Sequence, residues 1–300
     1  MQKNIYLYGM ILATNSFLLT DSFPKPDHYG EIKEKYKLPG GETGTCATVL
    51  DSLGCFVKMD GNHMGYQVYP MIKAFYSNKN VDLSALTFDE SYDGLEDYVI
   101  IDKHTRTPFG MFQTFYSDEK KRWNLPKRED IENANVVGLD PFFQNASETV
   151  AFYCKELKKK YVTIDCHYDS IIHKNSEVNI LSNEFFGYSQ LKEVNRIELF
   201  QRYQETAGGL VIFTEGTNKI MYARKGESIK YFTPFHVNAV STLGAGDTFK
   251  AGCIYALSQG MTDDEIVRFA SACAAIACTK FPLPLNPPTL EEVEALINSI

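Results

Sequence analysis

The chain has 300 residues, 44% hydrophobic and 23% charged, enough for one large α/β domain or two small ones whose core buries most of the unfolded surface. A formal net charge of −8 argues against nucleic acid or an anionic membrane as the main partner, since both demand a concentrated basic surface. Seven dispersed cysteines without a C-x-x-C pair suit reduced, buried thiols rather than a disulfide framework or a zinc knuckle, and no run of about 18 apolar residues or secretory leader is present, so a cytoplasmic protein is expected.

The first apolar run, residues 4–9, reads as a strand. Pro39-Gly40-Gly41 is a turn that opens a helical pattern over 43–53, closed by Leu53-Gly54. Strand-like runs follow at 55–60, 134–139, 161–165, 178–181 and 209–213, with helical patterns at 64–77, 146–160 and 188–206. Short buried strands separated by helices imply right-handed βαβ units and a mainly parallel sheet covered on both faces, a three-layer α/β/α sandwich. Residues 12–38 and 97–117 break this alternation: they are strand-prone, aromatic and charged, and Phe112-Gln113-Thr114-Phe115-Tyr116 shows no helical stripe. No repeat or linker divides the chain, so a single domain over 1–300 is expected. Near the end, Thr262 with Glu265 and Thr289 with Glu292 form capping-box pairs, the first helix being stopped by Pro282 and Pro284.

The most informative stretch is Ser241-Thr-Leu-Gly-Ala-Gly-Asp-Thr-Phe-Lys-Ala-Gly252. Gly244 and Gly246 permit a turn that brings backbone N–H groups close to a ligand, and an apolar helical run begins directly after them. A helix start carries unpaired donors and partial positive charge, so it stabilises a phosphate or oxyanion. Asp247 in the first turn then faces the same small volume and can accept a proton from a hydroxyl attacking phosphorus. Other candidates are weaker. Asp165, His167 and Asp169 are competent metal ligands that would share one face of a strand, and Lys155, Lys158, Lys159 and Lys160 read as a solvated helix face.

The 241–252 run resembles the C-terminal signature of the ribokinase (PfkB) family of carbohydrate kinases, Asp-Thr-x-Gly-Ala-Gly-Asp with a Phe two residues on. Thr242, Gly244, Ala245, Gly246, Asp247 and Phe249 match, with Ser241 replacing the leading Asp, and Thr-Leu-Gly-Ala-Gly-Asp-Thr-Phe is most similar to the ketohexokinase or fructokinase-like branch. Gly40 and Gly41 resemble the family's N-terminal Gly-Gly motif. The resemblance implies ATP with magnesium, held mainly by nucleotide phosphates and water, and a sugar-like acceptor under a β-lid formed by about 12–38 and 97–117, through which the family also suggests a homodimer. It assigns Asp247 as base, with Gly244, Ala245 and Gly246 as the anion hole. Gly40, Gly41, Thr14 and Thr45 line the acceptor pocket, the two threonines standing where the family has an Asp and an Asn. Asn183, Glu184, Thr214, Gly216 and Thr242 lie toward the nucleotide, Phe186 taking the place of the Glu in the family's Asn-x-x-Glu motif. A nucleoside kinase on the same fold and a catalytically inert sugar- or nucleotide-binding member are the rival readings.

Overall fold

The computed structural model describes residues 2–188 and 195–299. The first run is β1 (Asn4–Gly9), in which Ile5 and Leu7 pack to one side and Tyr6 and Tyr8 to the other, the period-two signature of a strand buried on both faces. The chain doubles back through β2 (Leu12–Leu19) and β3 (Ile32–Gly40) into α1 (Gly41–Ser52), then returns as β4 (Phe56–Gly61). The short β5 (Met64–Gly65), α2 (Tyr69–Tyr76), β6 (Val81–Asp82) and β7 (Phe88–Asp89) follow. Next come β8 (Glu96–Ile101), β9 (Arg106–Gly110) and the short helices α3 (Phe112–Ser117) and α4 (Arg128–Asn133). Regular alternation resumes with β10 (Val136–Leu139), α5 (Asn145–Glu156), β11 (Tyr161–Ile164) and α6 (Ile171–Asn175). It continues through β12 (Val178–Ser182), α7 (Asn183–Tyr188), α8 (Arg196–Thr206) and β13 (Leu210–Thr214). The hairpin of β14 (Ile220–Ala223) and β15 (Lys230–Phe232) leads to α9 (Ala245–Gln259), α10 (Asp263–Cys278) and α11 (Leu290–Asn298).

Nine strands form one sheet in the order β15-β14-β13-β12-β11-β10-β1-β4-β6, parallel from β13 to β6 and antiparallel only at the β14–β15 edge. On one face Val57, Val162, Val178 and Ile212 meet Val49 and Leu50 of α1, Ile254 of α9 and Ala270 of α10. On the other, Tyr6, Val137 and Tyr161 meet Ile131 and Val150, while Val211 and Phe213 pack on Leu199 and Phe200 of α8. This is the three-layer sandwich that the alternating pattern predicts. The chain starts at β1, works outward to β6, then crosses back to β10 and works outward the other way. The carboxyl ends of β1 and β10 therefore flank the point where open parallel sheets leave a ligand crevice.

A second sheet, ordered β3-β2-β8-β9, is built from the two segments that break the alternation. Its register puts Thr14 opposite Leu38 and Asp97, and Ile101 opposite Arg106, so these side chains share the inner face. The strand expectation fails for Phe112–Tyr116, which is α3. Phe112, Phe115 and Tyr116 stand at i, i+3 and i+4, and all three pack into the cluster holding Trp123 and Phe143, a helical stripe too short to register as one. The helical patterns at 64–77 and 146–160 are also shorter than expected. Only 69–76 and 145–156 are helical, so Lys155 lies on the helix, whereas Lys158, Lys159 and Lys160 lie beyond it. In the 188–206 pattern α8 begins at Arg196, and 189–194 lie outside the described residues. Both capping boxes form as expected, at Thr262 and Thr289. All seven cysteines are free, six of them buried.

Candidate active site

Two glycine turns meet at the crevice. Gly244 caps α9 with φ +77, and a Cβ there would lie 2.7 Å from Leu283 and 3.3 Å from the Thr45 methyl, so only glycine seats this turn against α1. Ser241 shapes the approach: its buried hydroxyl accepts the Leu243 N–H at 3.2 Å. Ala245 N–H donates to the Thr242 carbonyl at 3.2 Å and Thr248 N–H to Gly244 at 2.8 Å. The N–H groups of Gly246 and Asp247, in the first turn, have no helical acceptor and point out of the positive end of a 15-residue helix. The second turn is similar. Gly41 has φ +77 and backs onto the Met10 carbonyl, which accepts the Thr43 N–H at 3.0 Å. A Cβ on Gly40 would fall 1.9 Å from the Thr14 hydroxyl, so a bare backbone is what lets the second sheet close on α1.

A buried ion pair, not foreseen from the sequence, joins the two turns. Asp140, just past the end of β10, accepts the Met10 N–H and the Thr43 hydroxyl, both at 2.9 Å, and pairs with Lys250 from the second turn of α9. Both side chains are essentially inaccessible. Burial alone would lower the Lys250 ammonium, but the Asp140 carboxylate, together with Cys46 and Glu42, offsets it and the group is held well above its ordinary value.

These elements enclose a cavity of about 250 Å³, floored by Gly244 and Asp247, walled by Gly40, Gly41, Glu42 and Thr45, and roofed by Thr14, Asp97 and Arg106 of the second sheet. Pro282 and Phe281 close one side, and Tyr36 of the roof meets the Phe281 ring edge-on at 5.6 Å. Asp247 is half-buried with its side chain on the cavity. Burial, followed by repulsion from Asp140, pushes its carboxyl up to about 6, against the pull of Lys250 and Arg106. A base poised there is ionised at neutral pH yet still basic enough to take a hydroxyl proton. Arg106 donates to the Thr242 carbonyl and hydroxyl, each at 3.2 Å, and pairs with Glu184 at 2.8 Å, which brings one guanidinium beside the glycine turn.

A model of the pfkB family carbohydrate kinases matches residues 18–283. The chain belongs to that family. It is 25% identical over 179 residues to the 5-dehydro-2-deoxygluconokinase of Listeria monocytogenes serotype 4a, a stretch that is 59% of this chain and 50% of the relative. It is 32% identical over 124 residues to the ribokinase of Haemophilus influenzae, 41% of this chain and 39% of that one. The chain thus matches half or less of the length of these two relatives. In three dimensions it superposes on Arabidopsis thaliana ribokinase complexed with ribose and ATP, with a TM-score of 0.79, 16% identity and 99% of each chain covered, which shows the shared fold. These relatives are named as ribokinase and 5-dehydro-2-deoxygluconokinase rather than ketohexokinase.

Within this pfkB-family chain, the residues expected near the nucleotide divide. Glu184 lines the cavity, and Arg106 ties it to Thr242, which lies between the lining residues Ser241 and Leu243. Asn183 opens α7 directly after β12, and its side-chain oxygen accepts from Arg196 at 2.5 Å. Thr214 ends the neighbouring β13 and Gly216 follows with φ +61 and open space around it, away from the acceptor cavity but on the same sheet edge. Phe186 is core, its ring tilted against Phe213 and edge-on to Tyr203. The metal candidates do not share a strand face: β11 ends at Ile164, Asp165 has φ +51 and binds Ser182, and His167 pairs with Asp169 at 2.6 Å. Among the described residues no group of three or more His, Cys, Asp or Glu side chains could hold a metal ion. Sequence reasoning missed Glu42, Asp97, Arg106, Asp140 and Lys250. The one available signal was an acidic residue directly after Gly40-Gly41.

Proposed function

We propose that the protein transfers the γ-phosphoryl group of ATP to a hydroxyl of a small sugar or sugar-like acceptor held in the cavity. The carrying observation is the Asp247 carboxylate, raised to about 6, on the cavity floor in the first turn of an open helix start. In this reading Asp247 takes the acceptor's hydroxyl proton, the new O–P bond forms as the bond to the bridging oxygen of ADP breaks, and ADP departs. Gly244, Gly246 and the Asp247 N–H form the anion hole, Ala245 contributing less because its N–H already has a partner. Arg106 supports the transferring group from above. Thr14, Thr45, Gly40 and Gly41 shape the acceptor end, and Asn183, Glu184, Thr214, Gly216 and Thr242 the nucleotide side.

The donor set fits magnesium nucleotide rather than a protein-caged metal, since Glu184 is the carboxylate paired with Arg106 and, among the described residues, no group of three or more His, Cys, Asp or Glu side chains could hold a metal ion. Magnesium would be held by phosphate oxygens and water near Glu184, and would neutralise charge developing on the phosphates. The free thiols suit a reducing compartment, and we place the protein in the cytoplasm. We also propose that the outer face of the lid, where the cross-strand pair Tyr98 and Phe109 is 46% and 50% exposed, joins two copies. Sedimentation as a monomer at high micromolar concentration would remove that pairing.

A coupled ADP-release screen over ketoses, aldoses, amino sugars, sugar acids and nucleosides tests the main reading. Acceptor-dependent ADP from a sugar is the expected result. Turnover of nucleosides alone would select a nucleoside kinase, and ligand-induced thermal stabilisation without ADP from any acceptor would mark an inert binding protein.

A further inference from the structure

The cavity is unevenly charged. Of its lining side chains, Glu42, Asp97, Glu184 and Asp247 are acidic and Arg106 alone is basic. That one guanidinium is already committed to Glu184 and Thr242 on the nucleotide side. Lys250 is spent on Asp140 behind the wall, and Lys37 pairs with Glu96 on the outer face of the roof. The acceptor end, between α1 and the inner face of β8, therefore holds Glu42 and Asp97 with no cation among the described residues within ion-pair distance of either.

Asp97 carries the sharper signal. It stands opposite Thr14 in the roof, and its Oδ1 is buried without any hydrogen-bond partner. A buried carboxylate oxygen left unpaired is costly, and proteins keep such groups where a ligand completes them. Burial, followed by repulsion from Asp247, raises Glu42, and burial raises Asp97 to about 6 even though Thr14 and its own backbone pull the other way. Both carboxyls also feel repulsion from Asp247, which a cation beside them would relieve.

Resting on the kinase reading above, we infer that the acceptor carries a protonated amine, recognised by Glu42 and Asp97, and that sugar acids and sugar phosphates are excluded. A neutral hydroxyl compound satisfies Asp97 with one donor. An ammonium satisfies it with several and adds charge, whereas an anion meets only carboxylates at that end.

The test is a matched series on one skeleton that differs only at the first carbon: fructose, 1-amino-1-deoxyfructose and 2-ketogluconate. kcat/KM should favour the amine over fructose by about tenfold or more, in keeping with a charged hydrogen bond, and 2-ketogluconate should fall below both. Glu42→Gln and Asp97→Asn should each shrink the amine-to-fructose ratio toward one; because the readout is a ratio within one variant, a general loss of activity does not imitate it. Equal use of amine and fructose, preference for the carboxylate, or a ratio unchanged in both variants would overturn the inference while leaving phosphoryl transfer intact. Calorimetric titration of the three compounds without ATP separates the two claims. Tighter amine binding with no ADP release would sustain the pocket chemistry and sink the kinase reading; no binding preference and no turnover preference would sink the inference.

Discussion

Replacing Asp247 by Asn is expected to lower kcat by about 10²- to 10⁴-fold on the best acceptor, the range that loss of a positioned general base produces. KM for the acceptor should move far less, because the amide keeps the shape and hydrogen-bonding reach of the carboxylate. Stability should hold or rise. Asp247 has a carboxyl raised to about 6, so the native state binds its proton more tightly than the unfolded chain does. Its favourable contribution is fully present below the unfolded carboxylate range and is lost as pH climbs through about 6. At neutral pH the ionised group opposes folding, and the neutral amide removes that opposition. An activity loss with unchanged or increased resistance to urea would therefore separate chemistry from misfolding. Near-parental kcat in this variant would remove Asp247 from the reaction.

Lys250→Met is expected to cost about 3–5 kcal/mol, since it strands the Asp140 carboxylate, which is closed off from bulk solvent, without its cation. Met10 N–H and the Thr43 hydroxyl still serve one oxygen of Asp140, but the other loses its partner. Because Asp140 joins β10, the turn after β1 and the start of α1, the loss should loosen both glycine turns together. Adding Asp140→Leu should recover part of the stability but not all, as Met10 N–H and Thr43 would then lack an acceptor. Urea unfolding of the single and double variants measures this, and a single-variant loss below about 1 kcal/mol would show that the pair does not brace the site.

The sequence carried the fold through its strongest local signals. Alternation of short apolar runs with helices gave the parallel sheet, and Thr262–Glu265 and Thr289–Glu292 marked two helix starts that form as written. Each glycine turn was readable because the positive φ at Gly41 and Gly244 is a local demand of the backbone. What stayed hidden depends on distance along the chain. Asp140 and Lys250 are 110 positions apart, and neither spacing nor periodicity announces that β10 and α9 bring them together. Arg106 and Asp97 read as ordinary charged residues in strand-prone segments until β8 and β9 fold over the crevice. The α3 helix was lost for a different reason: a six-residue element is stabilised by the ring cluster around Phe115 and Trp123 rather than by its own propensity.

The central claim is that one carboxylate at the glycine-lined start of α9 accepts the acceptor's proton. A profile of kcat/KM against pH, measured with the best acceptor between pH 4.5 and 8.5 at saturating magnesium nucleotide, tests it most directly. The account predicts that kcat/KM rises with pH through a midpoint near 6, the value at which Asp247 ionises, and that, in an Asp97→Asn background that removes the other cavity carboxyl raised to about 6, the Asp247→Asn variant lacks this limb in its residual activity. A profile that stays flat down to pH 4.5, or an acid limb that persists unchanged in the variant, would contradict it.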